Sequence, residues 1–199
     1  MFKILNLKNF FNLNEDKYLK EIFFLIFPEF NNLDRLDRLK KICNPSQVNK
    51  NILLAVLLID DKDNHEYFAH KYNIANNIKE NLNLLAKNLK LSREHKDFFG
   101  KDLAKNIYLN NKNHLIDLNI INFASNNKHK KKDFSDTLKK ILQSKNNIFP
   151  IDGKHLMQKG MKEGLKLGRV LKMIEKEWIA NGFKISKNRV EEIIKLNSN

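Results

Sequence analysis

Asn51-Ile52-Leu53-Leu54-Ala55-Val56-Leu57-Leu58-Ile59 is the stretch on which the fold class turns. The run is almost wholly apolar, so it reads either as a core helix or as a central strand of a buried sheet. Leu and Ala favour the helix, and the flanks lack the turn chemistry of a hairpin. A helix is the reading adopted here, with a central strand as the alternative.

The neighbouring segments point the same way. Tyr18, Leu19, Ile22, Phe23, Ile26 and Phe27 recur at spacings of three and four, which predicts a buried amphipathic helix over 17–27, closed by Pro28. Leu33, Leu36, Leu39 and Ile42 repeat every three residues among Asp34, Arg35, Asp37, Arg38, Lys40 and Lys41. That pattern predicts a second helix with a charged outer face, broken at Asn44-Pro45-Ser46. Ile74, Ile78, Leu82, Leu85 and Leu89 predict helix within 66–90, and Ser92, followed by Glu94 and Asp97, reads as the cap of the next one. A last strong helix is expected over 167–181, with Leu167, Val170, Leu171, Ile174, Trp178 and Ile179 on one face and Gly182 as its left-handed stop.

Composition agrees with an all-α class. Among 199 residues only six are Gly and three Pro, whereas 42% are hydrophobic and fourteen are Phe, enough apolar surface for a folded core. The single cysteine, Cys43, has no internal partner, and no Cys/His cluster has zinc spacing, so a reducing, cytoplasmic setting is expected. The densest apolar stretch, Ile22 to Phe27, is far short of the ~20 residues of a membrane span. Neither a membrane partner nor export is expected, since the start of the chain lacks the apolar region of a secretory signal.

The formal charge is +14 and the pI near 9.7, which suits a polyanionic partner because each neutralised phosphate releases counterions. Only five of the 37 basic residues are Arg, so a bias toward Lys codons is the competing explanation. Residues 125–133, Ser-Asn-Asn-Lys-His-Lys-Lys-Lys-Asp, contain nothing apolar and read as an exposed basic linker. The expected division is therefore a helical domain over 1–124, the linker, and a helical tail over 134–199.

Two patterns resemble metal chemistry and fail on geometry. His65-Glu66 with His70 is spaced i, i+5, which turns the imidazoles about 140° apart on a helix where zinc ligation needs i, i+4. Asp61-Lys62-Asp63 has the D-x-D spacing of a two-metal site, yet it follows an apolar helix in a polar loop. No P-loop or nucleophile elbow occurs, so no catalytic or metal-ligating residue is assigned.

A third cluster is better suited to binding. Gly153, Gly160, Gly164 and Gly168 lie within sixteen residues, surrounded by Lys154, Lys159, Lys162, Lys166, Arg169 and Lys172. Glycines serve turns and helix caps, and the cations form a local positive field suited to an RNA backbone. Lys128, Lys130, Lys131 and Lys132 make a second basic group.

The segment from Ile148 to Phe183 carries Phe149-Pro150-Ile151-Asp152-Gly153-Lys154-His155-Leu156, Gly160, Gly168-Arg169-Val170-Leu171 and Glu177-Trp178-Ile179-Ala180-Asn181-Gly182-Phe183. In order and spacing it resembles the C-terminal signature of class II CCA-adding tRNA nucleotidyltransferases and related bacterial poly(A) polymerases. Phe27-Pro28-Glu29-Phe30 and Leu33-Asp34-Arg35-Leu36-Asp37-Arg38-Leu39 resemble the family's L-P-E and R-L-x-R-L run. His155 stands where the family has Asp, and Lys162-Glu163-Gly164-Leu165 replaces its P-P-G-P turn.

The resemblance implies an all-α body and tail without the catalytic α/β head. It implies a tRNA- or RNA-binding portion of a split or truncated enzyme, non-catalytic by itself. Mg²⁺ and CTP or ATP would belong to a separately encoded head subunit, and no cofactor is expected on this chain. Phe10, Phe11 and Leu13 are expected on the surface that a preceding neck would cover. A helical protein-interaction module, or a decaying gene fragment without activity, is the alternative.

Overall fold

In the computed structural model, which describes residues 10–44 and 47–197, the chain is all helical, and no strand occurs among the described residues. A 3-10 turn (Phe10–Glu15) leads into α1 (Lys17–Ile26), α2 (Arg35–Leu39), α3 (Lys50–Leu58), α4 (Asn64–Lys71), α5 (Asn76–Glu94), α6 (Leu103–Asn110), α7 (Lys112–Ser125), α8 (Lys131–Gln143), α9 (Gly153–Gln158), α10 (Leu165–Ala180) and α11 (Lys187–Leu196). The chain forms two compact units, one of residues 1–103 with 110–144 and the other of 104–109 with 145–199.

The deciding stretch is α3, a helix rather than a strand. It starts on Asn49, whose side chain accepts the Asn51 N–H at 2.9 Å, and it is buried on every face from Leu53 to Leu58. Burial all round leaves its final carbonyls without water. Side chains meet all four: Arg35 Nη1 donates to Val56 O at 2.9 Å and Ile59 O at 2.6 Å, Asn32 Nδ2 to Leu57 O at 3.0 Å, and Asn64 Nδ2 to Leu58 O at 3.3 Å.

The second arginine of α2 does the same for α7. Arg38 donates through Nε and Nη2 to Phe123 O at 2.9 and 2.8 Å, and through Nη2 to Asn126 O at 2.7 Å and His129 O at 3.0 Å. Its guanidinium lies over the Phe123 ring, 4.7 Å from the centroid. The expected helix is therefore present, but Arg35 and Arg38 do not belong to a solvated outer face. Leu36 and Leu39 enter the core while the arginines tie down helix ends.

Around this centre Phe23, Phe30 and Phe68 are buried, joined by Phe27 and Tyr72, with ring centroids 4.8 to 6.0 Å apart. Glu29, 4% exposed, accepts Lys71 Nζ at 2.6 Å and Tyr72 OH at 3.1 Å. Burial pushes its carboxyl up, but these donors outweigh burial and hold it below the usual carboxylate range.

Four expectations change in detail. The 66–90 pattern is interrupted at residues 72–75, so that α4 and α5 are separate, and Ser92 lies inside α5, its hydroxyl donating to Leu89 O at 2.8 Å. Phe10 and Leu13 are core residues, not a surface; the side chain of Phe11 lies outside the described residues, as do Pro45 and Ser46. The boundary between units falls after Ser144 and not at 125–133. The basic stretch is a tight turn between packed helices: α7 runs to Ser125, α8 begins at Lys131, Arg38 binds its carbonyls, and Asn122 Nδ2 meets His129 Nδ1 at 3.1 Å.

The second unit is built on Leu156, Met161, Val170, Ile174, Val190, Ile193 and Ile194. Trp178 is ringed by Tyr108, Phe149 and Phe183 at centroid distances of 5.3, 5.3 and 4.9 Å. Tyr108 donates its hydroxyl to Glu175, and burial with that bond pushes the phenol up to about 12.

Replacing Arg35 with Met leaves two carbonyls of a dry helix end unpaired, and we expect a loss of about 2–4 kcal/mol in urea unfolding followed by circular dichroism. Lys79→Met, on the exposed face of α5, should change stability by less than about 0.5 kcal/mol. A loss for Arg35→Met no larger than that control would show that the carbonyls find other partners.

Half-buried Asp117 in α7 gives a pH test, because burial pushes its carboxyl up to about 6 from 3.8. Between those values the folded chain keeps a proton that the unfolded chain has released, so stability falls as pH rises through this window. Asp117→Asn should add about 1–2 kcal/mol at neutral pH, discounted because water reaches the partly exposed carboxylate, and nothing at pH ~4. Urea midpoints at the two pH values check it, and an equal gain at both would refute the assignment.

Candidate nucleic-acid interface

The glycine and lysine segment forms α9, a turn and the start of α10. Asp152 caps α9 by accepting the His155 N–H at 2.9 Å. At its other end Gly160 takes φ +93°, with Gly160 N–H donating to Met157 O at 2.9 Å and Met161 N–H to Leu156 O at 3.2 Å. This is a Schellman stop, and it places Met161 in the core. Gly182 ends α10 as expected, with φ +65° and Phe183 N–H donating to Trp178 O at 2.8 Å.

Gly164 differs because it is itself the N-cap of a helix. It adopts φ +142°, which L side chains rarely take, and as the N-cap of α10 it offers no side-chain acceptor to the first turn. Gly153 opens α9, and Gly168 lies inside α10 with open space where a Cβ would sit. A cleft of about 400 Å³ borders this turn, lined in part by Lys162, Glu163, Gly164, Lys166 and Asn197.

All six cations singled out in this unit, Lys154, Lys159, Lys162, Lys166, Arg169 and Lys172, are exposed. Lys159 is drawn to Glu191 at 2.7 Å, which lowers the Glu191 carboxyl through that bond. On α10, at about 100° per residue, Lys166, Arg169, Lys172 and also Lys176 fall within roughly 120° of one face. Val170, Ile174 and Trp178 are buried on the other. Lys176 is not among the cations expected to contact RNA, although the periodicity of the sequence places it on this outer face.

Two carboxylates of α10 are engaged by other side chains. Glu175 accepts from Tyr108, and Glu177 accepts Arg189 Nε at 2.6 Å and Nη2 at 3.1 Å. The Glu177 carboxyl is lowered by its bond to Arg189. Arg169, Lys172 and Lys176 have no side-chain partner among the described residues.

Lys128, Lys130, Lys131 and Lys132 are also exposed but belong to the first unit, at the start of α8. Cations there oppose the helix dipole. Asp133 offsets this by accepting the Lys130 N–H at 3.0 Å.

Elsewhere, His65 is buried in the first turn of α4 and His70 is exposed in the last, so the two do not converge. Among the described residues no group of three or more His, Cys, Asp or Glu could hold a metal ion, and no helix is long and apolar enough to cross a membrane. Compared with protein-family models, with curated proteins and with solved structures, the chain finds no match.

Proposed function

We propose that the chain holds RNA, and tRNA in particular, through the exposed face of α10 and the turn before it. The observation that carries this reading is the basic face of α10, whose neighbouring carboxylates are spent on Tyr108 and Arg189. Such a surface binds phosphates by charge and positions a duplex without reading its bases. By the resemblance of the 148–183 segment, the partner polypeptide is a catalytic head that supplies Mg²⁺ and nucleotide, while this chain grips the substrate. The chain then transfers no nucleotide by itself.

Six phosphate contacts imply a log–log salt slope of about −4 to −5. We expect tRNA lacking its terminal CCA to bind more tightly than single-stranded RNA of equal length in anisotropy titrations at two salt concentrations. Replacing Lys162, Lys166 and Arg169 with Ala should weaken binding by about tenfold or more, and replacing Lys17, Lys20 and Lys79 by less than about threefold. Equal losses from the two triple variants, or no preference for tRNA, would reduce the effect to generic electrostatics and overturn the reading.

A second reading, a helical protein-interaction module, is favoured by α1. Tyr18, Ile22 and Leu25 stand 78%, 53% and 84% exposed at i, i+4, i+7, an apolar stripe with no partner within the described chain. Of the six residues expected on a buried face of this helix, Tyr18, Leu19, Ile22 and Ile26 are exposed, Phe27 is half-buried and Phe23 alone is buried. If the stripe docks a second polypeptide or another copy, Ile22→Glu with Leu25→Glu should abolish self-association, or capture of a co-expressed head, in light scattering while tRNA binding persists. A wild-type chain that is monomeric and captures no head would remove this reading.

A further inference from the structure

In the first unit the residues from Ile59 to Glu66 and the second half of α5 enclose a cleft of about 550 Å³. Both sequence patterns rejected as metal sites border it, with Asp61 and Asp63 from one and His65 and Glu66 from the other. Some of its charges have duties. Asp60 accepts the Lys62 N–H at 2.9 Å, and Arg93 reaches Asp61 at 3.5 Å and Ser125 at 2.8 Å.

Five others do not: the side chains of Asp63, Glu66, Glu94, Lys87 and Lys90 make no hydrogen bond or ion pair among the described residues, although all five border the same cleft. Lys87 and Lys90 lie three residues apart on α5 and so share a face. Opposite charges that line one space without pairing leave room for a molecule that bridges them. A polycation would be repelled by the lysines, and an anion by the carboxylates.

Polar atoms in the wall are also unmet. His65 is 3% exposed and its Nδ1 has no partner, and Asn83 Oδ1 is buried without one. Such atoms are rare in folded interiors because desolvation is not returned.

We propose that this cleft binds a small zwitterion carrying a primary ammonium and a carboxylate, the ammonium toward Asp63 and Glu66 and the carboxylate toward Lys87 and Lys90. Asn83 Oδ1 accepts one ammonium N–H. The His65 ring, kept neutral because burial lowers its pKa against the opposing pull of Glu66, Asp63 and Asp60, supplies a second acceptor.

The test is calorimetric titration of the full chain with 6-aminohexanoate, with hexylamine and hexanoate as single-sign controls. Saturable binding of the zwitterion is expected, at least about fivefold tighter than either control. Asp63→Asn with Glu66→Gln, and separately Lys87→Gln with Lys90→Gln, should each weaken it by about fivefold or more. All four positions are exposed, and Asn tolerates the φ of +56° at residue 63, so the variants should melt like the wild type. Lys184→Gln with Glu163→Gln, in the other unit, should leave zwitterion binding unchanged. No saturable binding, equal binding of hexylamine or hexanoate, or the same loss in the distant pair would overturn the proposal.

Discussion

A helix buried on every side has nowhere to send its last four carbonyls, and in this chain that constraint organises the first unit. Val56, Leu57, Leu58 and Ile59 end α3 in a region that water does not reach. Three side chains converge on them: Arg35 from α2, Asn32 from the turn before it and Asn64 from the start of α4. Asn64 also donates to Glu29 O at 2.7 Å, so the same amide links the end of α3 to the segment that follows α1. Arg38 repeats the device on α7, and its three carbonyl acceptors bring the turn into α8 under the same control. A five-residue helix, α2, thereby fixes two much more apolar ones. A guanidinium suits the task because it presents several donors in one plane and keeps its charge even where burial lowers its pKa, as at Arg35.

The second unit meets its helix-end problem with backbone instead. α9 and α10 both stop on left-handed glycines, Gly160 and Gly182, and each stop turns an apolar residue back toward the packed interior: the buried Met161 after the first, and the half-buried Phe183 against Trp178 after the second. Gly164 stands instead at the N-cap of α10, where it offers no side-chain acceptor to the first turn. The residues that carry the family resemblance, among them Phe149, Leu156, Val170, Trp178 and Phe183, are therefore mostly packing residues. A resemblance carried by packing residues bears on how the tail folds, and the binding reading rests on the surface that this packing leaves outward.

The helical class could be read from Asn51–Ile59 because Leu and Ala dominate it, and α10 could be read because its apolar period and Gly182 agree. The roles of Arg35 and Arg38 could not. Their spacing fits a solvated face equally well, and only the tertiary position of α3 and α7 turns them inward. The turn at 126–130 misled for the same reason, since its lysines do point to solvent while its carbonyls bind Arg38 from a helix some 90 residues earlier. The apolar stripe of α1 erred in the opposite sense: periodicity detects an apolar face but not whether anything covers it. Of the basic sites, every cation was found exposed, which any lysine-rich sequence would give.

Exposure alone therefore does not separate a binding face from compositional background; compensation does. A helix surface rich in Lys commonly carries Glu three or four residues away, and each such pair mutes the field. On α10 Glu175 alone has that spacing, three residues after Lys172, and it accepts from a phenol, while Glu177 is held by a bidentate arginine that also binds Glu192 at 2.7 Å. Arg189, from α11, neutralises Glu177 across the unit. The field over α10 follows from how its carboxylates are engaged as much as from how many lysines the chain contains.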